Sequence, residues 1–129
     1  VTISGAGGLN RGDVQRVTRE AVRLLREKRS SRLLVDCSRG YLDLKLVDVY
    51  GVPECYEKAG LPRYARIALV LPGVGAPSDM AGLYEFYETV CQNRGYVCRL
   101  FDCQESAEKW LQAMAGGAAP ARQGGTRGC

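Results

Sequence analysis

A chain of 129 residues with 46% apolar side chains and a net charge of +4 is long enough for one domain to bury a core without disulfide or metal staples. It holds no apolar run long enough to span a bilayer, and its N-terminus lacks the charged-then-apolar order of a signal peptide, so a soluble cytoplasmic protein is expected. It also holds no histidine. The usual general base and every Cys/His zinc pattern are thereby excluded.

Six cysteines in a small chain could suggest a secreted disulfide framework. However, Cys37 and Cys98 lie in or beside apolar runs and Cys91 falls on an expected helix. There is no C-x-x-C pair, which leaves only an unsupported four-cysteine zinc site. Reduced, mostly buried thiols acting as small apolar side chains fit better, so no metal and no cofactor is expected.

The first element is a short strand at residues 1–4, followed by a glycine-rich turn, Gly5-Ala6-Gly7-Gly8. Val14, Val17, Ala21, Leu24 and Leu25 then recur at helical spacing to about Lys28, with Asn10 and Asp13 as the starting cap. This region is basic: residues 1–39 carry nine Lys/Arg against four Asp/Glu. Arg11, Arg16, Arg19, Arg23, Arg26, Lys28, Arg29 and Arg32 could meet phosphates, but Glu20 and Glu27 interrupt them and no aromatic residue joins them to stack on bases. A solvated helix face is the better reading, and nucleic acid is not an expected partner.

Leu33-Leu34-Val35 reads as a buried strand ending in a turn over Asp36-Cys37-Ser38-Arg39-Gly40. A less regular helical stretch then runs from Asp43 to Gly60, split or kinked by Pro53. The clearest strand is Arg66–Leu71, RIALVL, closed by Pro72. After the loop 72–78 comes a helix with Leu83, Phe86, Tyr87 and Val90 on one face, ended by Gly95 as the natural left-handed residue. Tyr96–Phe101 is a fourth strand. Asp102 and Glu105 open a last helix with Ala107, Trp110, Leu111 and Met114 turned inward. This gives one α/β domain over 1–114, and the unpatterned Gly/Ala/Arg stretch 115–129 is expected to be a disordered tail.

From Arg66 onward the sequence resembles the C-terminal half of the SpoIIAA-like (STAS/SEC14-like) small bacterial proteins. The resemblance rests on a T-x-x-x-N-R-G helix end (Thr89, Asn93, Arg94, Gly95), a strand ending in Arg-x-Phe (Arg99, Phe101), and a short helix closed by Ala-x-x-Trp-Leu (Ala107, Trp110, Leu111). Upstream only the strand–glycine–helix opening and the Leu34-Val35-Asp36 strand end correspond. The resemblance implies a mixed four- to five-stranded sheet with about four packed helices, and relatives carry a further strand before the position of Val1. It does not imply a phospho-switch, because the Asp-Ser-x-Gly context of the anti-sigma antagonists does not occur after Leu42.

Without converging acid, base and nucleophile groups, the chain reads as a non-enzymatic binding or regulatory module for a small ligand or a protein partner. The ligand-binding candidates are Asp36 and Ser38 at the second strand's end, with Gly73, Gly75 and Ser78 in the glycine-rich loop 72–78. Backbone N–H groups there could hold an anion at the following helix start. A rival reading takes Gly5–Gly8 as the opening of a nucleotide fingerprint with Asp36 as the ribose acid, although Asn10 occupies the third glycine position. Cys37 is the one candidate thiol nucleophile, and a buried structural thiol is the better reading of it. Tyrosines at 41, 50, 56, 64 and 84 leave a homodimer and a monomer equally open.

Overall fold

A computed structural model describes residues 1–72 and 81–113. The loop residues Gly73, Gly75 and Ser78 and the tail 115–129 lie outside the described residues. The elements in chain order are β1 (Thr2–Leu9), α1 (Arg11–Lys28), β2 (Arg32–Leu42), α2 (Leu46–Tyr50), α3 (Val52–Ala59), β3 (Arg66–Val70), α4 (Ala81–Asn93), β4 (Val97–Phe101) and α5 (Gln104–Ala113).

The four strands form one sheet in the order β1-β2-β3-β4, every pair parallel. The mixed sheet that the family resemblance implied is therefore corrected to a parallel one. Each strand connects to its neighbour through helix, the connection that parallel pairing requires.

Side-chain alternation along the strands sorts the core into two layers. Leu33, Val35, Ile67, Leu69 and Leu100 face α1 to α4. Leu34, Ala68, Val70 and Phe101 face α5, where Ala107 and Leu111 cover them and Trp110 packs alongside. Leu34 and Leu100 are each 2% exposed or less, so truncating either to alanine would cost about 2–5 kcal/mol.

The α1 start is as expected. Asn10 Oδ1 accepts from the Asp13 N–H at 2.9 Å and Asp13 Oδ2 accepts from the Asn10 N–H at 3.0 Å, a reciprocal cap that satisfies two helix-end donors. The stretch after Asp43 is broken at Gly51 rather than at Pro53. Pro53 sits in the first turn of α3, where its missing N–H costs no helical bond. Among the described residues the helices number five, where about four were expected. At α5 the expected Asp102 cap is replaced by Cys103, whose Sγ accepts from the Ser106 N–H at 3.5 Å.

The largest correction concerns the two glycine-bearing segments. Gly5–Gly8 is strand, and β2 runs through Asp36–Gly40 to Leu42. The two segments pair with each other, Gly7 with Gly40 and Leu9 with Leu42, past a bulge that sets Ser4 opposite Asp36 and Ala6 opposite Arg39. Glycine at position 40 serves close backbone approach: a Cβ there would stand 2.8 Å from the Gly7 carbonyl oxygen.

Candidate functional site

Asp36 forms the last β2–β3 register pair, with Val70, and its Oδ1 accepts from the Ser38 N–H at 3.0 Å. The carboxylate thus steadies the bulge, while Ser38 lies exposed. Of the expected five-residue site, Asp36 and Ser38 are hydrogen-bonded neighbours, and Gly73, Gly75 and Ser78 lie outside the described residues. The turn expected at Gly5–Gly8 is corrected to strand. Those glycines lie in the paired strand, and the α1 N-terminus is closed by its own Asn10–Asp13 cap.

Cys37 is 1% exposed, and burial, reinforced by the Asp36 charge, pushes its thiol up to about 11. A thiol so protonated is a poor nucleophile. Among the described residues no group of three Cys, Asp or Glu side chains is placed to hold a metal ion. Beneath α1 lies a cavity of about 50 Å³, walled by apolar groups such as Val17, Val35 and Leu69 and bordered by Cys37, Tyr56 and Tyr87. That volume is far below an organic ligand's needs.

A larger groove opens at the amino-terminal end of the sheet. It encloses about 540 Å³ between the last turn of α1, the link into β2 and the α3–β3 link. Val22 and Leu25, both buried, supply its apolar floor, and Tyr64, 72% exposed, stands at its side. Arg26, Arg29, Ser30 and Ser31 complete the polar wall. Two backbone features shape it. Gly60 ends α3 in the left-handed conformation (φ 83°), and a Cβ there would lie 3.1 Å from Arg26 Nη2, so glycine leaves room for the guanidinium. Arg29, at φ 50° and ψ 44°, is the one non-glycine residue with positive φ among those described, a conformation that disfavours a side chain.

Among the described residues no carboxylate compensates the charges in this groove. On the same helix, Arg16 pairs with Asp13 at 3.3 Å, and Arg23 is held between Glu20 and Glu27. Nearby, Arg63 and Arg94 converge on Glu57 at 2.6 and 3.0 Å. Arg26 and Arg29 have no carboxylate partner among the described residues. Their place in the last turn and at the exit of α1 complements the helix dipole, but that alone does not account for an adjoining apolar groove with two serines and an exposed aromatic ring.

The groove was hard to anticipate because its lining comes from segments about thirty-five residues apart. The run of arginines was visible but read as a solvated face, which holds for Arg16 and Arg23. Of the five tyrosines noted in the sequence, Tyr41, Tyr50 and Tyr64 are exposed, whereas Tyr56 and Tyr84 are core.

No known protein family, curated protein or solved structure matches the chain.

Proposed function

We propose that the chain is a non-enzymatic binding module of the SpoIIAA-like type, acting in the cytosol, that takes a small ligand joining an anionic group to an apolar or planar body. The observation that carries this reading is the pairing of two uncompensated guanidiniums, Arg26 and Arg29, with a 540 Å³ groove floored by Val22 and Leu25. Guanidinium forks bind phosphate or carboxylate through charge-assisted hydrogen bonds. Ser30 and Ser31 can supplement those bonds, and Tyr64 offers a ring for the ligand's body. The volume lies within the range of small-molecule sites.

Phenyl phosphate, which joins an anion to a ring, is the test ligand. It should raise the melting temperature saturably. The shift should vanish in R26A/R29A and persist in R16A/R23A, which removes equal charge from the same helix. No saturable shift in the wild type, or an equal loss in both double variants, would sink the reading.

A second reading, recognition of a protein partner, is favoured by α2. This five-residue helix buries Val49 fully yet leaves Leu46, Val47 and Tyr50 at 62%, 74% and 68% exposure, a patch that invites contact. A photocrosslinker at Val47 should give one discrete adduct in cells that L46E abolishes. Diffuse labelling unaffected by L46E would speak against it.

A further inference from the structure

The two edges of the sheet are treated differently. At β4 the outward backbone groups are satisfied from α4: Gln92 Nε2 donates to the Cys98 carbonyl at 3.0 Å, and Glu88 accepts from the Leu100 N–H at 2.8 Å. Two side chains thus stand where another strand's backbone would be. At β1 no described residue does this. Val1 directs its N–H to the Arg32 carbonyl and accepts from the Leu34 N–H. The period of two therefore turns the N–H and C=O of Thr2, Ser4 and Ala6 outward. All three residues are exposed. The strand TISGAGGL contains no charge and no proline, two of the devices that blunt an edge; a third, a bulge, lies between Ser4 and Ala6.

We propose that β1 is the pairing edge of a homodimer, two copies joining β1 to β1 antiparallel about a two-fold axis at Ser4. A second copy is singled out by self-complementarity. In this register Ser4 faces the second copy's Ser4, Thr2 faces its Ala6, and no like charges meet along the strand. Ile3, half-buried, faces its Gly5, whose missing side chain leaves room. Beside β1, on the helix-covered side, runs a groove of about 110 Å³ bordered by Ile3, Gly5, Asp13, Arg16, Val17 and Glu20. A two-fold axis reverses the second copy's α1, and in the proposed dimer Arg16 of each copy lies opposite Glu20 of the other, in exchange for their pairs within the chain with Asp13 and Arg23. An isologous interface pairs one patch with itself, so a contact of residue 16 with 20 is made twice.

The test is the mass of the full chain by light scattering over a concentration series, with a monomer–dimer equilibrium expected. Ser4→Pro removes an outward N–H that β2 does not use. It should weaken the dimer at least about tenfold, two inter-copy hydrogen bonds being lost, with the circular dichroism of the monomer unchanged. If S4P fails to fold, charge exchange decides instead: R16E should weaken the dimer and R16E/E20R restore it. Amide exchange at Thr2, Ser4 and Ala6 should slow as concentration rises. A monomer at every concentration would overturn the proposal, as would a dimer that neither S4P nor R16E weakens.

Discussion

Glu88 accepts the Leu100 N–H at 2.8 Å while only 2% exposed, so a carboxylate on α4 occupies the place that another strand's backbone would take. Removing it would leave a buried donor without its acceptor. Glu88→Ala should cost about 1–3 kcal/mol for that reason, whereas Glu88→Gln, which retains an acceptor oxygen, should cost less. Urea unfolding measures both. E88A should also aggregate faster near its unfolding midpoint, because β4 then presents a bare edge.

Tyr56 and Tyr87 join α3 to α4 through a hydrogen bond between their phenolic oxygens, both rings being 5% exposed or less. Burial holds both phenols protonated, well above the ordinary range. Either single Tyr→Phe change leaves the other hydroxyl buried and alone, at about 1–3 kcal/mol. Y56F/Y87F removes both polar groups and should cost clearly less than the sum of the single variants. A double-mutant cycle from urea midpoints reads the coupling; strict additivity would show that the bond contributes nothing.

What could be read from the sequence was what local chemistry decides. The Asn10–Asp13 cap, the RIALV strand and the left-handed turn at Gly95 each depend on a few neighbouring residues, and each is found. The extension of β2 was not legible. Asp36-Cys37-Ser38-Arg39-Gly40 has the composition of a turn, and only pairing with a strand some thirty residues earlier converts it to strand. The groove escaped for the same reason: Arg26 announces nothing until Gly60 and Tyr64 are folded beside it.

The glycines of the β1–β2 arm give a graded series. A Cβ at Gly5 would make ordinary contacts, 3.5 Å to Leu9 and 3.6 Å to Cys37, so Gly5→Ala should be nearly neutral in the monomer. Gly7 has open space around it but φ of 74°, so Gly7→Ala should cost about 1–2 kcal/mol through backbone conformation alone. Gly40→Ala drives its methyl to 2.8 Å from a backbone oxygen, and the two strands must part to admit it. We expect about 1–3 kcal/mol there, with amide protection lost along Ala6–Leu9. Urea midpoints in the order Gly5, Gly7, Gly40 test the close-approach explanation, and a destabilising G5A would count against it.

The protonation of Cys37 makes stability depend on pH at the alkaline end. Burial, then the Asp36 charge, raises its thiol from an ordinary value of 9.0 to about 11. Below about 9 the folded and unfolded chains both hold this proton, and its stabilising effect is complete. Between 9 and about 11 the unfolded chain has released the proton that the folded chain keeps, so stability must fall as pH rises. Tyr56 and Tyr87 are shifted in the same direction by burial, and Cys98 by its hydrogen bond with Cys91 and then by burial, and they carry the decline further. Cys37→Ala should flatten the first part of this curve, while Asp36→Asn, which removes the charge that adds to the shift, should end this part of the decline at a slightly lower pH and make it smaller. Urea midpoints measured across that window for the wild type, C37A and D36N are the check. A C37A curve parallel to the wild type would show that this thiol is not the group being titrated.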